Sequence, residues 1–478
     1  MLIVASDWLH AFWPLVLAVL SLVVSAGTSV HILTRRHDPR GVLAWIGLIW
    51  LVPIGGALLY VMFGVNRIER RARHLRGHAP SGAGPAARAA RHTALPAGDH
   101  WRELRTLMDR VNDMPLLPGN RIDMLRNGDQ GYPVMLDAIQ GARRSIGLCT
   151  FILGNDEWGN RFLDALTDAM GRGVAVRVLV DGAGQYYTFP PIGRNLRRRG
   201  IPGALFLHSL LPWRMPYLNL RNHRKILAID GNLAFTGGMN ISAKHAGSPP
   251  AARDVHFKVS GPVVSQMVRV FAEDWAFTTG ERLDGPDWFP QLVETGRALA
   301  RGIPDGPDED FDKCRWAFLA GLGAARRRIL VATPYFLPDD DLLTALRHAA
   351  LRGVRVDILL PGKNNWPFVQ WAANTLLERL LAAGCRIWFS SGTFDHGKYL
   401  VVDGAWCLLG SANWDPRSLR LNFEFNLEAF DPALSAELER HAETVIASAR
   451  PLKANDLASR SLPVRVRDGL AMLMSPYL

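Results

Sequence analysis

Cysteine is scarce in this 478-residue sequence, and its placement excludes several classes of protein. Neighbouring cysteines are at least 22 positions apart, and none forms a Cys-x-x-Cys pair. That number and spacing exclude a disulfide framework and give no metal-ligand spacing. We therefore expect four reduced core residues, namely Cys149, Cys314, Cys385 and Cys407.

Lysine is absent from the first 98 residues, which hold ten arginines and only three acidic residues. This segment therefore carries +7 of the net charge of +11, and the other 380 residues carry only +4. A nucleic-acid-binding body normally has a basic patch that dominates its charge. The charge distribution argues against a nucleic acid partner, whereas anionic membranes and phosphorylated substrates remain compatible with it.

Fixed charges are also missing from two long apolar stretches near the N-terminus. Phe12–Ile32 is long enough to cross the hydrocarbon of a bilayer as a helix. Gly41–Asn66 is a second uncharged stretch, in which Pro53 predicts a bend. The alternative for the first stretch is a secretory signal peptide, but the acidic start and the long apolar run argue against one. We predict a transmembrane helical hairpin over residues 1–66.

Arginines flank both predicted spans. Three lie in the short connection and five closely follow the second span, so the positive-inside rule predicts a cytoplasmic C-terminal body. Residues 67–98 are rich in Ala, Gly, Pro and Arg, a composition that cannot bury a core. We predict a basic, flexible linker there, attracted to anionic lipid headgroups.

The rest of the chain contains one pattern twice. Residues 142–181 and 325–361 each contain an Ala-Arg-Arg run, an apolar strand, a helical stretch and a second apolar strand. Alternating helices and strands are typical of an α/β fold. We predict two similar α/β halves in one fused body, over residues 99–290 and 291–450.

Each half also contains the pattern H-x-K-x-x-x-x-D followed by G-[GS]-x-N, with matching offsets. Two such copies are far rarer by chance than one. In a strand the His and Lys of each copy share one face, whereas the Asp points to the other. We therefore expect the aspartates to hold the backbone and neighbouring polar groups, and the two His–Lys pairs to converge on one phosphorus. The aligned residues are His223, Lys225, Asp230 and Asn240 in the first half and His396, Lys398, Asp403 and Asn413 in the second.

These residues resemble the HKD motifs of the phospholipase D superfamily, and the resemblance, closest to bacterial cardiolipin synthases, covers nearly the whole chain. It implies two pseudo-symmetric phospholipase D-like α/β/α sandwich halves. Departures occur in Cys149–Gly154, where a glutamate-tyrosine-rich strand is usual, and at Gly397 and Trp414. Other shared motifs are an N-terminal P-x-x-G-x-x-x-Y-x-x-F-G stretch that includes Phe63 and Gly64, Arg221–Lys225, Arg253-Asp254, Asp274-Trp275, Pro334–Phe336, Asn422–Glu424 and the final Ser475–Leu478.

The resemblance also implies a catalytic set, with no metal and no other cofactor. One histidine attacks the phosphorus of a phosphatidyl donor, forming phosphohistidine, and the other protonates the leaving alcohol and then activates the incoming hydroxyl. Family precedent favours His223 as nucleophile and His396 as acid and base, although the near-symmetry leaves the order open. The implied set is His223, Lys225, Asp230, His396, Lys398 and Asp403, with Asn240 and Asn413 binding phosphate oxygens and Asp254 and Glu424 orienting the imidazoles.

The activity that the resemblance implies is phosphatidyl transfer between two phosphatidylglycerol molecules, giving cardiolipin and glycerol. Its partners would be the lipid bilayer and phospholipid substrates, with phosphatidylethanolamine as another acceptor, and its place the bacterial inner membrane. Two alternatives remain: a membrane-bound phospholipase D that uses water as acceptor, and a non-catalytic membrane adaptor. The oligomeric state is unknown.

The C-terminal residues 451–478 predict an amphipathic tail. Val466, Leu470, Leu473 and Met474 recur at helical spacing, with Arg465 nearby. Such a helix either lies on a bilayer or docks on the core of the protein.

Overall fold

A computed structural model describes residues 2–35, 39–61, 95, 98–207, 220–247 and 251–473. The chain divides into two compact units, one formed by residues 1–68 and 209–219 and the other by residues 69–208 and 220–478. We call the first the N-terminal unit and the second the catalytic body. Phe63, Gly64, nearly all of the predicted linker, and Met474 with the final Ser475–Leu478 lie outside the described residues.

The N-terminal unit contains α1 (Leu2–Arg35), α2 (Pro39–Leu51) and α3 (Pro53–Leu59). Within α1, Phe12–Thr34 is long and apolar enough to cross a membrane. The second predicted span is instead divided after Leu51, because Pro53 begins a new helix and its ring nitrogen cannot continue the preceding hydrogen-bond pattern. Among the described residues, one helix alone therefore has the length of a span.

Motif residues explain how these helices pack. A Cβ atom on Gly56 would lie 2.8 Å from the main-chain oxygen of Leu48, so α2 and α3 approach as closely as they do only with glycine there. The hydroxyl of Tyr60 lies 2.9 Å from Nδ1 of His31 in α1, and its ring packs edge-on against Trp45. Gly56 and Tyr60 of the N-terminal motif thus make contacts between helices.

The catalytic body is built from strands and helices that alternate along most of the chain. The strands are β1 (Leu117–Arg126), β2 (Ser145–Thr150), β3 (Ala175–Asp181), β4 (Gly203–Phe206), β5 (Arg221–Asn222), β6 (Ile226–Ile229), β7 (Leu233–Gly237), β8 (Ala252–Arg253), β9 (Val255–Ser260), β10 (Ala298–Asp305), β11 (Arg328–Ala332), β12 (Arg355–Pro361), β13 (Arg386–Ser390), β14 (Phe394–Asp395), β15 (Tyr399–Val402), β16 (Trp406–Gly410), β17 (Asn422–Phe430) and β18 (Arg450–Pro451). The helices are α4 (Asp99–Val111), α5 (Asn127–Gly141), α6 (Glu157–Gly171), α7 (Ile192–Arg198), α8 (Val264–Thr279), α9 (Lys313–Ala324), α10 (Asp340–Leu351), α11 (Pro367–Ala382), α12 (Pro416–Arg420), α13 (Pro432–Ala447), α14 (Ala454–Ala458) and α15 (Leu462–Leu473).

The two halves have the same strand order. It is β4-β3-β2-β6-β7-β9-β1 in the first half and β13-β12-β11-β15-β16-β17-β10 in the second. Antiparallel pairing of β1 with β10 joins them into one continuous sheet. The central parallel strands are largely apolar and buried, as expected for strands covered by helices on both faces. The prediction of two pseudo-symmetric α/β halves in one body is confirmed.

Helix α4 falls within the predicted first half but packs on the second half. The sequence placed residues 99–290 in the first half, but Trp101 of α4 contributes to the core of the second half and packs edge-on against Phe430. Asp109 on the same helix forms an ion pair with the buried Arg301 of β10. Local sequence could not reveal this exchange, because it depends on a long-range apolar contact.

The predicted C-terminal tail is part of the body. β18 pairs with β13 at the edge of the sheet, and α15 packs on α11. Helix α15 buries Asp468 and Ala471, while its apolar residues Val466, Leu470 and Leu473 are exposed. The helix therefore docks on the protein and leaves its apolar stripe uncovered. The four cysteines are free and buried, as predicted.

Candidate active site

The sheet topology places both motif histidines at one edge. β6 and β15 run antiparallel to β2 and β11, and their first residues pair with Cys149 and Ala332, near the ends of those strands. His223 and His396 precede β6 and β15, so they lie beyond the carboxyl ends of the parallel strands. Ligand sites of open α/β sheets form at this edge.

Short strands from each half cross to the other and bring the histidines together. β5, just before His223, pairs with β17 of the second half, and the amide of His223 donates to the carbonyl of Phe423 at 2.8 Å. β14, just before His396, pairs with β8 of the first half, and the amide of His396 donates to the carbonyl of Arg253 at 2.7 Å. Each histidine is therefore held by the backbone of the opposite half.

The carboxylates of Asp254 and Glu424 bind the two imidazoles, but in crossed pairs. Nδ1 of His223 lies 2.9 Å from both carboxylate oxygens of Glu424. Nδ1 of His396 lies 2.6 Å from Oδ2 of Asp254. An ionised carboxylate only accepts hydrogen bonds, so each Nδ1 carries the proton and each Nε2 keeps a lone pair for chemistry.

Each carboxylate is fixed by its own half. Glu424 accepts hydrogen bonds from Oγ of Ser411 at 2.5 Å and from Nδ2 of Asn422 at 3.0 Å. At the position equivalent to Ser411 the first half has Gly238, where a Cβ atom would lie 2.3 Å from Oδ1 of Asp254. The serine of G-S-x-N thus hydrogen-bonds Glu424, whereas the glycine of G-G-x-N leaves room for Asp254.

Arg224, between the first motif's His and Lys, joins the halves from beneath the site. Its fully buried guanidinium donates to Oδ1 of Asp274 at 2.6 Å and to the carbonyl oxygen of Glu424 at 3.0 Å. Asn222 donates to the other oxygen of Asp274 at 2.9 Å. A buried charge needs such partners, and here they hold the strand that carries Glu424.

The motif lysines lie against the histidine backbones. Nζ of Lys225 donates to the carbonyl of His223 at 2.7 Å, and Nζ of Lys398 donates to the carbonyl of His396 at 2.8 Å. Nζ of Lys398 is also 3.1 Å from both ring nitrogens of His396. Burial, with repulsion between the two ammonium groups, lowers the pKa of Lys225 to about 7. Burial likewise lowers the pKa of Lys398 to about 8.

Both imidazoles are neutral at rest. Burial lowers the pKa of His223 to about 4, although the charge of Glu424 opposes the shift. Burial and repulsion from Lys398 and Lys225 hold the pKa of His396 well below its ordinary value. A neutral ring is the form that can act as a nucleophile or accept a proton.

The two predicted phosphate-binding amides are buried near the motifs. Oδ1 of Asn240 accepts a hydrogen bond from the amide of Ile152 at 3.1 Å. Nδ2 of Asn413 donates to Oγ of Ser418 at 3.1 Å, and its Oδ1 has no partner among the described residues. Asn413 would therefore have to turn its amide to donate to a phosphate oxygen.

Asp230 and Asp403, which the resemblance places in the catalytic set, lie at the far ends of their strands. Asp230 is five positions after Lys225, about 16 Å of extended chain. Its carboxylate accepts hydrogen bonds from the amides of residues 143–145 at 2.7–3.1 Å. Asp403 does the same for the amides of residues 326–328 at 2.7–2.8 Å. They hold the chain at the start of β2 and β11, as the argument from strand faces suggested.

Three residues beside the site were not singled out from the sequence. The ring centroids of Phe151 and His223 are 5.4 Å apart, and those of Phe394 and His396 are 5.6 Å apart. Asp415 is buried near Lys398, and burial raises its pKa to about 7. Phe151 could have been found from its place in the unusual Cys149–Gly154 strand. Asp415 could have been found from its position two residues after Asn413.

Comparison with known proteins identifies relatives of both units. Residues 135–275 and 318–446 match the family described as cardiolipin synthase, PLD-like domain, and residues 23–64 match the phospholipase D-nuclease N-terminal family. The chain is 31% identical to the cardiolipin synthase of Geobacillus thermodenitrificans, covering 98% of this chain and 96% of the relative. It is 30% identical to cardiolipin synthase 1 of Bacillus cereus, covering 95% and 92%, and 30% identical to the cardiolipin synthase of Listeria welshimeri, covering 98% and 100%.

Among solved structures, the phosphatidylserine synthase of Haemophilus influenzae Rd KW20 is similar in fold. The two share 16% sequence identity with a TM-score of 0.58, over 78% of this chain and 100% of the other. At this identity the likeness concerns the fold alone.

Proposed function

Because the chain belongs to the cardiolipin synthase family of phospholipase D-like proteins, we propose that it transfers a phosphatidyl group from one phosphatidylglycerol to the glycerol hydroxyl of a second. The products are cardiolipin and glycerol. The observation that carries this mechanism is the crossed pairing of two neutral imidazoles, each with its Nδ1 on a buried carboxylate of the opposite half.

In the first step, Nε2 of His223 attacks the phosphorus of the donor lipid. An N–P bond forms, the P–O bond to the headgroup glycerol breaks, and His396 supplies the proton that the leaving oxygen needs. At rest burial and the two nearby ammonium groups hold the pKa of His396 too low for the ring to carry that proton. The ring therefore takes the proton from Lys398, whose Nζ lies 3.1 Å from Nε2 of His396, as the leaving oxygen draws it away, and Lys398 recovers it in the second step.

In the second step, His396 accepts the proton of the incoming hydroxyl group. The new O–P bond forms, the N–P bond breaks, and His223 is restored. Lys225 and Lys398 balance the negative charge on the non-bridging oxygens, and Asn240 and Asn413 donate hydrogen bonds to them. Water in place of the lipid hydroxyl would give phosphatidic acid by the same steps.

Several contacts favour His223 as the nucleophile. Attack on phosphorus gives its ring a positive charge, which an ionised carboxylate stabilises. Against the effect of burial, the charge of Lys225 and hydrogen bonds from His223 and Ser411 lower the pKa of Glu424, whereas burial raises that of Asp254. Glu424 is therefore the better partner for a ring that becomes cationic.

The protein associates with a membrane, as its family and the apolar part of α1 indicate. In our proposal it is a multi-pass protein of the bacterial inner membrane, with α2 and α3 as a second, bent span and the catalytic body in the cytoplasm. The support is the apolar composition of Pro39–Leu59 and the arginine distribution. Cysteine labelling of intact cells on either side of the membrane tests the orientation.

Purified full-length protein with radiolabelled phosphatidylglycerol tests the reaction. We expect labelled cardiolipin and one glycerol per cardiolipin. Phosphatidic acid as the sole labelled product would identify a phospholipase D instead. Offering labelled phosphatidylethanolamine in the same assay tests the alternative acceptor.

A further inference from the structure

Two loops of the catalytic body expose aromatic rings at equivalent places in the two halves. After β3 the chain exposes Tyr187 and Phe189, and Phe189 is 92% exposed. After β12, the equivalent strand of the second half, the loop exposes Trp366 and the first turn of α11 exposes Phe368. We call these four side chains the aromatic rim. Both loops follow the carboxyl ends of parallel strands, so the rim lies at the edge where the two histidines lie.

Ring contacts connect the first loop to its histidine. The ring of Phe151 is 5.4 Å from the ring of His223 and 5.6 Å from that of Tyr187. One aromatic side chain therefore separates the reacting imidazole from the exposed loop.

The second loop is connected in a similar way. Phe394 lies 5.6 Å from His396 and 6.2 Å from Tyr335, centroid to centroid. The hydroxyl of Tyr335 donates to Oδ1 of Asn365, immediately before Trp366, at 2.7 Å. The rim therefore borders the approach to the active site from both halves.

Helix α15 extends this apolar surface. Its residues Leu462, Val466, Leu470 and Leu473 follow one another at intervals of four, four and three positions, so they form one stripe, and all four are more than half exposed. The opposite face packs on the protein through Ala471 and Met472, and Asp468 pairs with basic side chains there. A surface helix of a water-soluble protein instead exposes charged and polar residues opposite its packed face.

A contact chain joins α15 to the rim. The guanidinium of Arg467 lies 4.4 Å from the ring of Trp371 on α11, and Trp371 packs against Phe368 at 5.0 Å. The stripe and the second-half part of the rim, Trp366 and Phe368, are therefore neighbouring parts of one surface. Lys363, which precedes Trp366, and Arg465, on α15, are both exposed. Their positive charges suit a surface that binds anionic lipid headgroups.

We infer that the aromatic rim and the stripe of α15 form the surface by which the catalytic body lies on a phospholipid bilayer, with the active-site opening toward the headgroups. Contiguous exposed apolar surface of this kind marks a binding face, and Trp, Tyr and Phe next to basic residues suit the membrane interface. The membrane association of the chain and its apolar helix make a bilayer the partner at hand. The inference rests on the proposed function only for the identity of the lipids.

Spin labels on single introduced cysteines test the contact without using turnover. The four native cysteines are buried, so labels attach selectively to Phe189→Cys, Phe368→Cys or Leu470→Cys in the full-length protein. Leu351→Cys is the matched control, since Leu351 is an exposed apolar residue before β12, at the opposite edge of the sheet. The proteins are reconstituted into vesicles of phosphatidylglycerol and phosphatidylethanolamine, and collision rates with oxygen and with a water-soluble nickel chelate are compared.

We expect the first three labels to collide mainly with oxygen, as labels in a membrane do, and the control label to collide mainly with the chelate. Chelate access at all four positions would overturn the inference. Spin–spin broadening at the rim, with the same accessibility in detergent and in vesicles, would also overturn it, because a second copy of the chain would then cover this surface.

A pair of activity measurements provides an independent test. Phe189→Ser combined with Phe368→Ser is expected to lower the rate on vesicles at least tenfold, while the rate on monomeric short-chain phosphatidylglycerol stays within twofold. Leu351→Ser should leave both rates unchanged. Equal rates with the parent on both substrates, or equal losses on both, would contradict the inference. If the parent protein makes no cardiolipin, the proposed function fails, yet the label depths still decide the docking surface.

Discussion

Both carboxylate oxygens of Glu424 lie 2.9 Å from Nδ1 of His223, although the two residues are 201 positions apart and belong to opposite halves. Asp254 and His396 form the reciprocal contact. Neither half therefore contains a complete His–carboxylate pair. Duplication of the fold supplied the parts, and the crossing of β5 and β14 makes them one site.

This relationship predicts the effect of replacing the carboxylate by an amide of the same shape. Glu424→Gln should lower kcat by about 10³- to 10⁴-fold, as in other triads that lose the orienting charge, because the amide favours the wrong tautomer of His223. KM should change less than threefold. Steady-state rates with labelled phosphatidylglycerol, together with thermal unfolding of the same samples, measure both effects.

Glu437→Gln serves as the control, since Glu437 is a partly exposed carboxylate 3.7 Å from Arg126. It should leave kcat unchanged. A Glu424→Gln protein that keeps more than a tenth of the parent rate would show that the contact does not orient the nucleophile.

Much of the site was predictable because its signal is local. Each copy of the motif predicts a strand that begins just after its histidine and lysine. Two copies imply two equivalent halves. The crossed pairing was not predictable, because it depends on strands that contact each other across some 200 residues. The packing of α4 on the second half was not predicted for the same reason. The faces of a strand, by contrast, did assign Asp230 and Asp403 to structural positions.

The N-terminal unit shows a different limit. Composition identified the apolar stretches and Pro53 predicted a bend, but hydropathy alone treats Gly41–Asn66 as one span. Pro53 divides it into two helices, since a backbone without an amide hydrogen ends the preceding helical hydrogen bonds. How such a bent segment lies in a bilayer depends on its packing against α1, which composition does not contain.

An activated donor lipid separates the roles of the two histidines. Phosphatidyl p-nitrophenol has a leaving group that needs no proton, so the first step can proceed without an acid. With this substrate His396→Ala should release one equivalent of p-nitrophenol per protein and then stop, leaving a phosphatidylated His223. His223→Ala should give no burst. Stopped-flow absorbance and mass spectrometry after a rapid denaturing quench at mildly alkaline pH provide the measurement, and the opposite pattern would make His396 the nucleophile.

The aspartates of the motif should affect stability more than chemistry. Asp403→Ala removes the acceptor of three backbone amides at the start of β11, so the free energy of unfolding should fall by about 2–4 kcal/mol. The kcat of the protein that remains folded should stay within about threefold. Chemical denaturation and active-site titration measure the two quantities. A stable protein without activity would instead indicate a catalytic role.

The pH dependence of kcat/KM should be bell-shaped, because that parameter reports ionisations of the free protein. On the acid side it should rise as His223 loses its proton, with a pKa of about 4. On the alkaline side it should fall between about 7 and 8, where Lys225 and Lys398 lose the positive charges that bind the phosphodiester, since burial lowers the pKa of both. Initial rates from pH 4 to pH 10 on monomeric lipid give the profile.

Conservative variants assign the alkaline limb, because a guanidinium stays charged over this whole range. In Lys398→Arg the alkaline fall of kcat/KM should have its midpoint near the pKa of Lys225, about 7. In Lys225→Arg the midpoint should lie near the pKa of Lys398, about 8. Absolute rates will fall, since the larger group displaces the phosphate, so the shape of each profile is compared rather than its height. The bound phosphodiester stabilises both ammonium groups, and the limb in kcat should therefore lie at higher pH than the limb in kcat/KM. An alkaline limb that stays at one pH in the parent and in both variants would place the titrating group outside the two motifs.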